Sequence, residues 1–399
     1  MNEVRKVDGG VPVKSWATTI EDGTWEQATN LSRLPFAYHH IALLPDAHPG
    51  YGMPIGAVLA AQRAIVPYAV GMDVGCGVRL LKVEANFDNL ADGMVRAILD
   101  GIRARVPVGN GPQDQHAEQP DKWHWETPAP GMDESDVAAR AVDAAQVQLG
   151  TLGGGNHFLE LQRGPDGARY FMLHSGSRSV GKKVCDHWHK VALMLNQRWH
   201  SALPDKELAY LPWESDEAHG YFDDMTMAMA WAEENRRRMA EAVMDVVLTV
   251  MGARGLPGMM AEVVDVHHNY AAWESHYGQN VIVHRKGAVR ARVGDVVLVP
   301  GSMATASYVG VGLGNPESFE TCQHGAGRAR SRGATRRMVT VDALHEQMAS
   351  AGVMLSTPND ADVTDESGVA YKDVDEVMAA SADLVTPTLR LLPVGCVKG

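Results

Sequence analysis

Five short segments between Asp73 and Arg328 each place a potential metal or phosphate ligand among glycines or other small residues. Glycine lets the backbone bend sharply and approach a ligand closely, at a cost in conformational entropy that an ordinary loop would avoid. Each segment alone is also explained by a buried cysteine or a core histidine. Taken together, the five segments predict one large domain in which distant loops meet at a single pocket.

The five segments differ in the chemistry that they offer. They are residues 73–77, 153–158, 174–178, 267–270 and 324–328, with the sequences DVGCG, GGGNHF, HSGSR, HHNY and HGAGR. Neighbouring strand residues point to opposite faces, so only one of His267 and His268 is expected to face the pocket. His324 is followed by small residues and then by arginines, a pattern typical of an unobstructed imidazole that attacks a phosphorus centre.

One thiol, one carboxylate and three imidazoles could hold one or two divalent ions. Thiolate and imidazole ligands favour a soft or borderline metal such as zinc, whereas carboxylate and nucleotide oxygens favour Mn²⁺ or Mg²⁺. The residues are therefore compatible with a zinc site and equally with two ions that share the thiolate.

Charge and cysteine usage narrow the class of protein. The net charge of −13 argues against a protein that coats nucleic acid, although a local basic patch or bound ions can dominate the field at a site. The four cysteines are widely spaced and form no CxxC pair, which predicts a reducing cytoplasm rather than a disulfide framework. We find no apolar run of membrane-spanning length, and the N-terminal residues lack the apolar core of a secretory signal peptide.

The hydrophobic pattern predicts an α+β protein, with residues 1–399 in one domain. Strands and tight loops are expected over Pro35–Val83, and strand, turn, strand over Val281–Pro300. Helices are predicted over Asn89–Arg105, Asp136–Leu149 and Asp223–Met251, with a polar loop over Gly109–Pro130. The methionines of the last helix are interpreted as core, and Arg236–Arg238 as a solvated face, with RNA contact as the alternative.

The chain resembles the RtcB family of GTP-dependent RNA ligases nearly from end to end. The motifs that carry the resemblance are Pro45–Gly50, Gly71–Gly77, Gly153–Phe158, His174–Arg178, His267–Asn269, Pro300–Met303, His324–Arg328 and Val397–Gly399. The resemblance implies a single RtcB-like domain of mixed β-sheets with surrounding helices and a central pocket for metal and nucleotide. Departures at Ala304, Ser179-Val180 and Cys322-Gln323 remove no ligand and bear on substrate preference.

The same resemblance implies roles for individual residues. Two Mn²⁺ ions would be held by Asp73, Cys76, His157, His174 and His268, with Cys76 as the bridge, and His324 would take GMP from GTP. Nucleotide contacts would come from Asn156, Glu160, Asn269, Gly301, Ser302, Met303, Ser307, Gly325, Ala326, Gly327, Tyr371 and Lys398. Contacts near the RNA phosphate would come from Asp46, Arg178 and Arg332.

The reaction implied by the resemblance joins an RNA 2′,3′-cyclic phosphate or 3′-phosphate end to a 5′-hydroxyl end. Two other interpretations are weighed against it. A binuclear phosphodiesterase would use the same ligands but leaves the His-Gly-Ala-Gly loop and Lys398 without a role. The net negative charge of the chain disfavours an RNA-binding protein with a structural metal. Which RNA is joined, and whether a helper protein assists, are left open by the sequence.

Overall fold

The computed structural model describes residues 1–83, 92–109, 114–117, 121–123, 137–250, 252 and 260–399. Its strands are β1 (Glu3–Arg5), β2 (Val13–Ser15), β3 (Ala37–His48), β4 (Ile55–Ala61), β5 (Ala64–Ile65), β6 (Gly77–Val83), β7 (Phe158–Arg163), β8 (Arg169–Ser175), β9 (Leu211–Pro212), β10 (Met260–His267), β11 (Asn269–His276), β12 (Gln279–Lys286), β13 (Ala288–Arg290), β14 (Val296–Val299), β15 (Ser307–Gly312), β16 (Thr321–Gln323), β17 (Met354–Ser356) and β18 (Val385–Val397).

Helices surround these strands, with short 3-10 turns in some of the connections. The α-helices are α1 (Asp22–Ser32), α2 (Pro67–Val70), α3 (Asp92–Arg105), α4 (Val137–Ala145), α5 (Ser179–Arg198), α6 (Asp216–Val250), α7 (Arg332–Met338), α8 (Val341–Ala351) and α9 (Val374–Ala380). Within the described ranges, no helix is long and apolar enough to cross a membrane.

Two sheets of mixed direction organise the molecule. The first has the order β1-β2-β3-β4-β12-β11, and the second has the order β10-β6-β8-β7-β18-β15-β14, with β17 paired to β18. The β2–β3 and β17–β18 pairs are parallel, and the other pairs along these two sheets are antiparallel. This arrangement confirms the α+β class and the mixed sheets predicted from the sequence.

Most predicted elements are present with shifted ends. The first predicted helix begins at Asp92, and residues 89–91 of that prediction lie outside the described residues. The second ends at Ala145 and continues as a 3-10 turn, while its first residue, Asp136, is not described. The polar loop Gly109–Pro130 lies mostly outside the described residues. The segment Val281–Pro300 contains three strands, because β13 pairs with β16 between β12 and β14.

Helix α6 is the longest helix of the described chain and begins earlier than predicted. It runs from Asp216 rather than Asp223 to Val250, with Gly220 accommodated within it, and the predicted last residue, Met251, lies outside the described residues. A Cβ atom at Gly220 would lie 2.6 Å from the ring of Trp188 on α5, so close helix packing explains this glycine. The methionine stripe is buried as predicted, with Met225, Met227 and Met239 in the core.

The arginine run of α6 is not a uniform solvated face. Arg237 and Arg238 form ion pairs with Glu234 on the helix surface, as that prediction requires. Arg236, in contrast, is fully buried beneath the second sheet, where it pairs with Asp265 of β10. Three consecutive helical residues point in directions about 100° apart, so one of them can face the core. The prediction of a solvated face is therefore wrong for Arg236.

A buried ion pair on the first sheet yields a test of stability. Arg285 of β12 donates to Glu274 of β11 at 2.6 and 3.0 Å, and His276 Nε2 lies 3.0 Å from the same carboxylate. Burial raises the pKa of Glu274, but His276 and Arg285 outweigh burial and lower this pKa from 4.5 to about 2. Because the folded-state pKa is depressed, the stabilisation is complete above pH 4.5 and is lost as pH falls towards 2.

We expect Glu274→Gln to reduce the free energy of unfolding at pH 7 by about 3–5 kcal/mol, because Arg285 is left buried without its counter-charge. Urea unfolding of the variant and of the parent protein between pH 7 and pH 3 measures the difference. The difference should shrink below pH 4.5, where the unfolded state takes up the proton. The exposed Glu3→Gln is the matched control, and a difference that stays constant with pH would contradict the assignment.

Candidate active site

The five predicted metal ligands converge on one buried point. Cys76 Sγ lies 3.2 Å from His174 Nε2 and 3.6 Å from His157 Nε2. His174 Nε2 is 3.3 Å from His268 Nε2, and His157 Nε2 is 3.0 Å from the Asp73 carboxylate. These ligand atoms form two groups, Cys76–His174–His268 and Asp73–Cys76–His157, each within 4.8 Å. Cys76 belongs to both groups.

The second sheet places these ligands at one edge. Cys76 directly precedes β6, and His174 lies near the end of β8, its antiparallel neighbour, where it is paired with Val78. His157 directly precedes β7, whose first residue is also paired with His174. His268 directly follows β10, in which His267 is paired with Gly77. Four adjacent strands therefore carry ligands at the same edge, although these residues are distant in the sequence.

Hydrogen bonds orient the ligand imidazoles. His157 Nδ1 lies 2.9 Å from the carbonyl of Leu152, and His174 Nδ1 lies 3.2 Å from the carbonyl of Asn156. Donation from Nδ1 to a carbonyl leaves the Nε2 lone pair directed towards the cluster. His267 points away from the cluster and contacts Arg236, so only His268 of the pair faces it, as predicted.

The electrostatics of the cluster suit cation binding. Burial lowers the pKa of His174 and of His268, so both rings are neutral and can act as ligands. Burial also raises the pKa of Asp73, but the neighbouring His157 outweighs this and lowers it to about 2. Burial and the Asp73 charge raise the pKa of the Cys76 thiol, and a divalent cation would displace its proton.

The donor set fits divalent ions of the borderline class, since it combines sulfur, nitrogen and carboxylate oxygen. Close approach is possible because residue 176 is glycine: a Cβ there would overlap the Asp73 carboxylate. The backbone N–H of Ser177 donates to the same carboxylate at 3.2 Å and holds it in place. These contacts account for the small residues that follow His174.

His324 lies beside the cluster without belonging to either group. It follows β16, and its ring centroid is 4.8 Å from that of His268. The carboxylate of Asp46 on β3 accepts from His324 Nδ1 at 2.7 Å and from its backbone N–H at 3.1 Å. His324 is therefore fixed in the tautomer whose Nε2 carries the lone pair.

A cavity of about 390 Å³ opens next to His324 and His174. Its lining includes nearly all the predicted nucleotide contacts and one predicted RNA contact: Asn156, Glu160, Gly301, Ser302, Met303, Ser307, Gly325, Ala326, Gly327, Tyr371, Lys398 and Arg332. Burial raises the pKa of Glu160 to about 8, against the opposing effects of Gln162 and Lys398. The His324 imidazole thus lines a cavity whose walls carry both polar and charged groups.

Three of the predicted nucleotide or RNA contacts do not line the cavity. The amide of Asn269 donates to the Asp73 carbonyl at 2.9 Å and accepts from Gly287 N–H at 2.7 Å, so it braces the site. Arg178 is paired with Asp114 at 2.9 Å. The resemblance predicts an RNA contact at Asp46, but this residue is fully buried behind His324 and presents no surface to an RNA phosphate.

A buried carboxylate in the wall of the cavity was not predicted from the sequence. Glu366 accepts from the Tyr371 hydroxyl and pairs with Arg332, with Arg328 at 3.1 Å and with Lys398 at 3.3 Å. Burial raises its pKa, but the cations and Tyr371 outweigh burial and lower it to about 2. The only local signal was its position five residues before Tyr371, within an acidic stretch that resembles an exposed loop.

Comparison with known proteins agrees with this geometry. The family model described as "tRNA-splicing ligase RtcB" matches residues 27–399. The chain is 36% identical to the RNA-splicing ligase RtcB of Escherichia coli, with 97% of each chain covered. It is 34% identical to the RNA-splicing ligase RtcB of Mycobacterium tuberculosis, covering 94% of this chain and 100% of the relative.

An archaeal relative matches over a similar extent. The tRNA-splicing ligase RtcB of Thermococcus kodakarensis is 33% identical, with 95% of this chain and 92% of the relative covered. The family model and these relatives extend over all five segments, and the structure gathers those segments around the ligand cluster and the adjoining cavity. The chain therefore belongs to the RtcB family of RNA-splicing ligases.

Proposed function

We propose that this protein is a GTP- and Mn²⁺-dependent RNA ligase that works through a histidine–GMP intermediate. It joins RNA 2′,3′-cyclic phosphate or 3′-phosphate ends to 5′-hydroxyl ends. The observation that carries the proposal is the position of His324, an oriented imidazole between a two-group metal cluster and a nucleotide-sized cavity. The names of the relatives, all RNA- or tRNA-splicing ligases, support RNA as the substrate.

The cavity has the size and the groups that a guanine nucleotide needs. Its volume of about 390 Å³ lies within the range of ordinary small-ligand sites. Tyr371 and Lys398, both anchored by Glu366, offer a ring and an ammonium group to the base. The backbone of the Gly325–Gly327 loop and the Arg332 guanidinium are available to phosphate oxygens.

The chain's own groups account for the guanylylation step. Neutral His324 attacks the α-phosphorus of GTP through Nε2, forming an N–P bond while the bond to the pyrophosphate oxygen breaks. Asp46 accepts the Nδ1–H and stabilises the positive charge that develops on the ring. Mn²⁺ ions held by Asp73, Cys76, His157, His174 and His268 would stabilise phosphoryl negative charge and orient the reacting oxygens.

RNA joining then follows in two transfers. A cyclic phosphate end is first hydrolysed to a 3′-phosphate. An oxygen of the RNA 3′-phosphate attacks the phosphorus of the histidine-bound GMP, which restores neutral His324 and activates the RNA end. The 5′-hydroxyl of the other RNA end attacks the activated 3′-phosphate, loses its proton and displaces GMP. A phosphodiesterase would need none of the guanylate contacts described above.

The Asp46–His324 contact gives a direct test of the nucleophile's orientation. We expect Asp46→Asn to slow formation of the GMP adduct roughly 100- to 10,000-fold, because an amide can stabilise the wrong tautomer and carries no charge. Mn²⁺ binding should be retained, since Asp46 belongs to neither ligand group. Single-turnover labelling with GTP measures the rate, and an unchanged rate would contradict the role of Asp46.

The proposed function is tested by incubating the full chain with Mn²⁺ and GTP labelled at the α-phosphate. We expect an acid-labile, alkali-stable protein label that is chased by RNA with a 3′-phosphate and a 5′-hydroxyl partner, giving joined RNA. A cyclic phosphate hydrolase would open the RNA end without ever acquiring the label. An RNA-binding protein would show salt-sensitive binding without turnover. Either result would overturn the proposal.

A further inference from the structure

Two fully buried polar residues, Asn235 and Arg236, lie in the middle of α6. The part of the helix before them, including Met225 and Trp231, packs into one apolar cluster. The part after them, including Met239, packs into another. A buried guanidinium costs several kcal/mol unless its charge and donors are matched. Because the two residues are buried between two apolar clusters, the groups that they contact must compensate for the cost of burial.

Arg236 contacts the chain neighbours of three metal ligands. Its Nη1 donates to the carbonyls of Gly75, next to Cys76, at 2.9 Å and of Ser175, next to His174, at 3.0 Å. Its Nη2 donates to the ring nitrogen of His267, next to His268, at 3.1 Å. Cys76, His174 and His268 are the three members of one ligand group. Asp265 neutralises the guanidinium through bonds of 2.7 and 2.9 Å.

Asn235 contacts the backbone that supports the other group. Its Oδ1 accepts from the N–H groups of Gly150 at 2.7 Å and Thr151 at 3.1 Å. Its Nδ2 donates to the carbonyls of Thr151 and Gly176, both at 3.1 Å, and more weakly to the Ser175 hydroxyl at 3.3 Å. The residue after Thr151, Leu152, accepts from His157, and the residue after Gly176, Ser177, donates to Asp73.

We propose that Asn235 and Arg236 are positioning residues, each of which mainly supports one of the two metal sites. Arg236 fixes the Cys76–His174–His268 group, and Asn235 fixes the Asp73–Cys76–His157 group. Both side chains project from the same helix, so the helix fixes the positions of the ligand loops that they contact. Groups that orient metal ligands commonly change metal affinity about 10- to 100-fold when they are removed. The inference rests on the proposed binding of Mn²⁺ by this cluster.

The test uses the full chain with two variants. Arg236→Lys keeps the charge but loses the forked geometry, and Asn235→Ser replaces the amide with a shorter side chain that carries a hydroxyl. Mn²⁺ binding is followed by calorimetric titration and by electron paramagnetic resonance, whose spin-coupled signal reports two neighbouring ions. We expect each variant to weaken one Mn²⁺ site about 10- to 100-fold and to weaken the other much less, because Cys76 is the one ligand that the two groups share. Excess Mn²⁺ should restore GMP adduct formation.

A double-mutant comparison assigns the affected site. His268→Ala removes a ligand of the group that Arg236 supports, so adding Arg236→Lys to it should cause little further loss of Mn²⁺ affinity. Adding Asn235→Ser to His268→Ala should weaken the remaining site as strongly as it does alone. Arg237→Gln is the matched control, because Arg237 is the exposed neighbour on the same helix, and both sites should be unchanged.

The outcomes separate this inference from the proposed function. A parent protein that binds no Mn²⁺ would overturn both. A parent that binds two ions, with variants that keep both affinities or lose both equally, would overturn only the positioning roles. Should Arg236→Lys fail to fold, Asp265→Asn weakens the ion pair that orients Arg236 while leaving the arginine in place. Loss of the same single site in that variant supports the inference, and two unchanged sites contradict it.

Discussion

Replacement of His324 by alanine is expected to abolish the protein–GMP adduct and RNA joining while Mn²⁺ binding persists. The variant removes the nitrogen that attacks phosphorus in the proposed step, and loss of a nucleophile of this kind costs on the order of 10⁶-fold in rate. His324 is not a member of either ligand group, so the cations keep all their ligands. Labelling with GTP and titration with Mn²⁺ measure the two properties on the same preparation.

The matched control for this experiment is His345→Ala. His345 is exposed and pairs with Asp360 at 2.9 Å on the surface, so both adduct and ligation should match the parent protein. Adduct formation in His324→Ala would show that another side chain takes GMP. Loss of Mn²⁺ from the same variant would place His324 among the metal ligands and contradict the division of roles proposed here.

Replacement of Cys76 by serine is expected to weaken both Mn²⁺ sites, because the sulfur atom belongs to both ligand groups. A serine hydroxyl stays protonated at neutral pH, so the site loses a negative ligand shared by two cations. The expected loss is at least about 100-fold in affinity at each site. Since metal ions contribute several kcal/mol to stabilising phosphoryl charge, adduct formation should fall roughly 1,000-fold or more.

His268→Ala provides the comparison that makes the Cys76 experiment specific. His268 belongs to one group only, so one Mn²⁺ site should weaken while the other is kept. Cys185→Ser is the matched control for a buried cysteine, since its sulfur lies 3.6 Å from the Pro67 carbonyl and outside the cluster. Calorimetry of the three variants distinguishes a shared thiolate from two independent sites. Loss of a single site in Cys76→Ser would show that the sulfur is not shared.

The ligand loops could be predicted because their signal is local. Glycines beside Cys76 or after His324 are costly in an ordinary loop, so these segments stand out in the sequence alone. The periodicity of α6 likewise predicted its buried methionines. All four cysteines are free, as their spacing predicted, and all four are buried, whereas the cytoplasmic location stays a prediction.

The partners of these residues could not be predicted, because a partner is set by the packing of distant segments. Asp46 and His324 are 278 positions apart, and nothing in either motif identifies the other as its hydrogen-bond partner. Arg236 looks like its neighbours in a run of three arginines, yet the fold buries it alone. Glu366 sits in an acidic stretch whose composition indicates solvent, and only the cations around it make burial favourable.

The antiparallel ladder of the second sheet has a consequence for how this chain tolerates changes in length. β6 leaves the ligand edge at Gly77 and ends at Val83, while β10 begins at Met260, opposite Val83, and returns to the ligand edge at His267. The Val83 end of β6 and the Met260 end of β10 therefore lie at the border of the sheet opposite the ligands, where a change in chain length would leave the paired residues beside the ligands unchanged. The pairing of the strands, rather than the length of their connections, keeps the predicted metal ligands aligned with one another.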